Sequence, residues 1–229
     1  MKRITCILLS VFLACSACRH NESSLSGHFE NGGSTVYLDE ILPDDIQTID
    51  TLLLVNGSFT YRFDRKETGL FRLRFSDTSL LSFVAGPGEQ LQVDGDARDL
   101  PHTYHIHGNV SSEMLWEANR RINGMYALTD SLSRIFKKAQ AADTLDHIIG
   151  QLDSCYHTHF LSCKSYLTSL IENHPGELAV LPVFYQRIGT RPLFSEETDS
   201  VLFRNMIRKL TEAQPENPHV KAIQERLNP

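Results

Sequence analysis

Between residues 48 and 94, apolar and polar side chains alternate in short runs, and the runs are separated by Asn56-Gly57-Ser58 and Gly86-Pro87-Gly88. A period of two, punctuated by turn residues, predicts half-buried antiparallel strands. The same reading extends both ways, giving strands over 25–29, 35–41, 49–54, 59–63, 70–75, 80–85, 90–93 and 102–107. Asn31-Gly32-Gly33-Ser34 reads as a hairpin connection between the first two, and Asn56-Gly57-Ser58 as another between 49–54 and 59–63. Pro43-Asp44-Asp45 breaks the run between them. In Phe71-Arg72-Leu73-Arg74-Phe75 the alternation is strictest, so Phe71, Leu73 and Phe75 are expected in the core and Arg72 and Arg74 outside.

At Ser111 the period changes to about 3.6. A helix is expected from 113 to 141, capped by Ser111 or Ser112, with Met114, Leu115, Ala118, Ile122, Met125, Leu128, Leu132 and Ile135 on one face. Asp143 or Thr144 caps a second, running to 172, which Asn173-His174-Pro175-Gly176 ends because proline and glycine together cannot continue a helix. Further helices are expected over 177–188, bent near Pro182, over 196–213 behind Ser195, and over 218–227. The fold class is therefore α+β: an antiparallel β-sandwich or partly open barrel at 25–109, followed by an all-helical domain at 110–229.

Met1-Lys2-Arg3, an apolar run from Ile4 to Leu13 and small residues from Ala14 to Cys18 read as an export signal, residues 1–17, too short to be a permanent membrane span. Cys18, preceded by Ser16-Ala17, is the expected acylated residue, with Cys15 as the alternative, and residues 18–24 form a polar tether. The chain is thus expected in the cell envelope, lipid-anchored and facing the periplasm or the cell surface. Losing Lys2 and Arg3 lowers the formal charge from −6 to about −8. From Cys18 to Val110 there are 14 acidic and 7 basic side chains, so no basic face is available and nucleic acid is excluded as a partner.

Several turns and caps carry a resemblance. Asn56-Gly57-Ser58-Phe59, Gly86-Pro87-Gly88-Glu89 before Gln90-Leu91-Gln92-Val93, Tyr104 to Gly108 leading into Ser112-Glu113-Met114-Leu115, and Asn217-Pro218-His219-Val220-Lys221 are similar to one arrangement. It is the N-terminal domain of unknown function, with its helical linker, of bacterial envelope lipoproteins of the TlpA/AhpC-type thioredoxin family. In that family a thioredoxin-fold domain carrying Trp-Cys-x-x-Cys follows. Here the sole tryptophan, Trp116, has no cysteine near it, so the resemblance implies a noncatalytic accessory or protein-interaction module without its catalyst. The implied partner is a protein, and a separately encoded thioredoxin-fold protein would make the chain a redox accessory.

Two constellations bear on chemistry. Cys155, His159 and Cys163 are spaced four apart on one helical face, a geometry for two metal ligands, but the face also carries Ile148, Leu152, Tyr156, Phe160 and Leu167, which favours core packing. Cys155 and Cys163 cannot bridge each other within one helix, so a redox role would need a mixed disulfide with a partner. His105 and His107 share one face of the last strand and are metal candidates only if a third ligand such as Asp94 or Asp96 comes near; the plainer reading is a solvated face. Gly86-x-Gly88 leads into a strand, not a helix, so it is a turn, not a phosphate loop. No motif implies a cofactor or a catalytic residue, and the remaining alternative is a periplasmic small-ligand or metal binder.

Overall fold

A computed structural model describes residues 22–227. The front half consists of β1 (Glu22–Glu30), β2 (Thr35–Ile41), β3 (Ile46–Leu53), β4 (Ser58–Asp64), β5 (Gly69–Arg74), β6 (Leu80–Ala85), β7 (Gln90–Asp96), the short helix α1 (Leu100–Thr103) and β8 (His105–His107). The strands form two four-stranded sheets, in the orders β4-β1-β7-β8 and β3-β2-β5-β6. Leu25, Phe29, Leu91, Val93 and Ile106 of the first sheet bury against Val36, Leu38, Phe71, Leu73 and Phe83 of the second. The result is an open sandwich, as the alternation predicts. Phe71 and Leu73 are in its core, Phe75 packs against it, and Arg72 and Arg74 lie on the outer face.

Strand pairing differs from the tight-turn reading. β1 pairs with β4 and β7, and β2 with β3 and β5, so Asn31–Ser34 closes no hairpin, and the tight turn at Asn56-Gly57 pairs only Val55 with Ser58 before its two strands part into different sheets. Each carries the chain from one sheet to the other. A hairpin there would set Leu25 and Phe29 beside Val36 and Leu38 on one side of a single sheet, whereas crossing makes the two apolar faces meet. One consequence is that β1 and β7 run parallel, in register from Ser24 opposite Gln90 to Glu30 opposite Asp96, inside an otherwise antiparallel arrangement. β1 also starts earlier than expected. Ser23 and Ser24, assigned to the tether, are strand residues, and buried Ser23 donates to the Gly86 carbonyl at 2.6 Å. His102, expected in the last strand, lies in α1, where Pro101 presets the first turn.

On the outer face of the second sheet, β2 carries a buried charge. The Asp39 side chain is 1% exposed and takes Arg72 at 2.7 Å and Arg74 at 2.9 Å, while the Thr48 hydroxyl donates to it at 2.6 Å. These donors, Arg74 foremost, hold its carboxyl well below the usual range despite burial.

The back half comprises α2 (Val110–Ala141), α3 (Leu145–Asn173), α4 (Val180–Phe184), the ribbon of β9 (Arg187–Ile188) and β10 (Arg191–Pro192), α5 (Ser200–Ala213) and α6 (Pro218–Leu227). The helix expected over 177–188 shrinks to α4, and α5 begins at Ser200 because Ser195 donates its amide to Asp199 in a preceding turn. α2 is capped not by a serine but by Asn109, whose side-chain oxygen accepts from the Ser112 amide at 2.7 Å. Ser112 is thereby freed for the sheet: its hydroxyl donates to the Val84 carbonyl at 2.8 Å and accepts from the Val84 amide at 3.1 Å. β6 is an edge strand, so the start of α2 satisfies backbone groups that would otherwise be exposed. Leu70 and Val84 join the helical core with Met114, Leu115, Val180 and Leu181, and Asn217 donates to the Thr68 carbonyl at 2.7 Å. The two halves thus share one seam.

Candidate functional site

α2 and α3 are long antiparallel helices, 32 and 29 residues, or about 48 and 44 Å at 1.5 Å per residue. Only their inner ends are in the core: Met114, Leu115, Ala118, Ile122 and Met125 on α2, with Phe160, Cys163, Leu167 and Ile171 on α3. From Tyr126 to His159 the sole buried side chain is Ala139. At its base the Tyr126 hydroxyl donates to the Arg187 carbonyl, and Leu128 and Tyr156 pack against the helical core; beyond them the stretch is a two-helix arm whose side chains are mostly exposed. Ile135, assigned by its spacing to the packed face, is 48% exposed, and Ile149 is 47% exposed. A groove of about 380 Å³ along the arm is lined by Leu132, Phe136, Leu152 and Tyr156 with polar residues around them.

At the base of the arm a second cleft, about 570 Å³, opens between α2 and α3. α2 contributes Trp116, Glu117, Arg120, Arg121 and Gly124, and α3 contributes His159, Cys163 and Tyr166. Trp116 is anchored by its indole N–H, which donates to the Tyr104 carbonyl at 2.7 Å, and His105 lies against its ring at 5.1 Å. Asn119 donates to the Tyr104 hydroxyl at 2.9 Å, and burial pushes that phenol up to about 12, so it stays neutral. The Arg120 guanidinium sits 4.8 Å over the Trp116 ring and that of Arg121 4.1 Å over Tyr166. The Tyr166 hydroxyl donates to Glu117 at 2.5 Å, an interaction that raises its pKa.

The two expected cysteine positions part company. Cys163 is buried at the cleft floor, where desolvation pushes its thiol up against the opposing pull of Arg121, so the thiolate is disfavoured. Cys155 is half-buried one helical turn before His159, whose Nδ1–H donates to the Cys155 carbonyl at 2.8 Å and is thereby occupied. His105 and His107 flank buried Ile106 on the exposed face of β8, and His107 faces Glu113 at 3.5 Å. Asp94 pairs with His105 across the strands, but no group of three histidine, cysteine or acidic side chains able to hold a metal occurs among the described residues. Cys15 and Cys18 lie outside the described residues.

Arg120, Arg121, Gly124 and Tyr166 were not singled out by sequence reasoning. The available signal was Gly124, a glycine in the interior of a helical run, where alanine would be about 1 kcal/mol better. Compared with known protein families and curated proteins, the chain matches no family model and no curated sequence. No helix among the described residues is long and apolar enough to cross a membrane.

Proposed function

We propose that this chain is a noncatalytic envelope lipoprotein, tethered through Cys18, whose α2–α3 arm docks on a protein partner. The partner implied by the family resemblance is a thioredoxin-fold protein. What carries the reading is the arm: an amphipathic helix pair whose apolar groove and whose Ile135 and Ile149 lack a covering element within the described chain. Two helices cannot enclose a core between them as a larger bundle does, and contiguous exposed apolar surface marks a contact site. The state of Cys163, buried with its thiolate disfavoured, supports a docking role over thiol chemistry in this chain.

The double substitution Ile135→Ser, Ile149→Ser tests this. Both side chains are about half exposed, so stability is expected to fall by about 2 kcal/mol for the pair. Association with the partner, read as a discrete product after chemical crosslinking in the native envelope, is expected to disappear. A variant that keeps the crosslinked product at parental yield overturns the assignment of the arm.

A further inference from the structure

The cleft at the base of the arm has properties that docking does not use. Arg120 and Arg121 line it, and neither is ion-paired with a carboxylate among the described residues. Arg72 and Arg74 pair with Asp39 and Arg226 with Glu196, while Arg191, over the Phe160 ring, likewise has no carboxylate; what sets Arg120 and Arg121 apart is that the two line one cleft. The aromatic rings beneath them hold both guanidiniums in place, so an incoming anion would lose little to ordering them. The one carboxylate lining the cleft, Glu117, already accepts from Tyr166. Counting arginine and glutamate alone, the lining therefore has one positive charge in excess, in a chain whose formal net charge is −6.

Gly124 is the second observation. A β-carbon built on it would meet no atom within 4 Å, so neither close packing nor a neighbouring backbone requires glycine there. It nevertheless occupies the middle of α2, where it weakens the helix by about 1 kcal/mol relative to alanine. Gly150 in α3 is equally without neighbours, but it does not line the cleft. Gly124 is exposed on the wall of the cleft, so the missing side chain leaves that wall open between the arginine end and the apolar end formed by Met125, Leu128 and Cys163. A volume of about 570 Å³ is within the usual range for small-molecule sites.

From two arginines that lack a carboxylate partner and the open wall at Gly124 we infer that this cleft binds a monoanionic carboxylate with an apolar body. The carboxylate lies against Arg120 and Arg121, and the body runs past Gly124 over Met125 and Leu128. A single excess positive charge matches a monoanion. A phosphate dianion would bring its second charge near Glu117 without a further cation to meet it.

The test uses the folded chain with octanoate, acetate and octan-1-ol as probes, followed by calorimetry and by amide and indole NMR shifts. Octanoate is expected to bind saturably, moving the Gly124 amide and Trp116 indole signals, at least about tenfold more tightly than acetate or octan-1-ol, the scale of losing one charge-assisted hydrogen bond or the apolar body. The Arg120→Gln, Arg121→Gln double variant is expected to lose at least tenfold toward octanoate and to bind octan-1-ol as the parent does. Gly124→Leu, which places a bulky side chain on the cleft wall, is expected to abolish octanoate binding while helix content by circular dichroism is retained. Absence of saturable octanoate binding, equal affinity for octan-1-ol, or an unaffected double arginine variant each overturns the inference. Partner crosslinking through the arm is read separately, so one proposal can fail while the other stands.

Discussion

Replacing Gly108 by alanine is expected to lower stability by about 3 kcal/mol or more, the sum of a strained backbone and an overpacked contact. Gly108 joins β8 to α2 at φ +123, a conformation that L side chains rarely adopt, and an added β-carbon would overlap the Gln90 carbonyl oxygen at the start of β7. Neither β7 nor α2 can retreat without loosening the seam, since Asn109 and Ser112 hold the next residues to Val84. Gly33→Ala is the comparison. Its φ of +71 is also positive but the space around it is open, so about 1 kcal/mol is expected. Urea unfolding of the two variants side by side separates backbone strain from collision. Equal losses would mean that the junction between sheet and helix is not packed in this way.

The second large effect is at Asp39. Asp39→Asn keeps the shape but removes the charge that Arg72, Arg74 and Thr48 surround, leaving two guanidiniums without their counter-ion. A loss of about 3 kcal/mol at neutral pH is expected, the low end for breaking a buried pair, because both arginines retain some access to water. The folded-state pKa of Asp39 is depressed below its ordinary value of 3.8, so its contribution is complete above that value and is lost as pH falls below it toward the folded-state pKa. The stability gap between parent and Asp39→Asn is therefore expected to be constant from neutral pH to about pH 5 and to narrow below about pH 4. Denaturation midpoints at several pH values read it directly, and a gap that widens with acidification contradicts the account.

The period of hydrophobic residues was enough to place nearly every strand, to locate the change from strand to helix at Ser111, within two residues of the Asn109 cap, and to assign the faces of Phe71 to Arg74. It could not say which strands are neighbours. Turn residues such as Asn31-Gly32-Gly33-Ser34 specify that the chain bends, not whether the next strand rejoins the same sheet, and the parallel pairing of β1 with β7 joins segments about 65 residues apart. Asp39 was equally hidden, for a charged residue in an alternating run reads as solvent-facing until its partners on β5 are known. The base cleft needs α2 and α3 side by side, and only then do Arg120 and Arg121 share a space with Tyr166 and Cys163. Likewise the exposure of Ile135 follows from the length of the hairpin relative to the body it leaves, which periodicity along one helix does not contain.

The most direct test of the docking role is site-specific photo-crosslinking in the native envelope, with a benzophenone side chain at Ile149 on the arm and, as comparison, at Val201 on α5, which is 76% exposed. The arm position is predicted to give a single discrete protein adduct and the α5 position none. An adduct from Val201 with nothing from Ile149 would contradict the assignment of the arm as the contact surface.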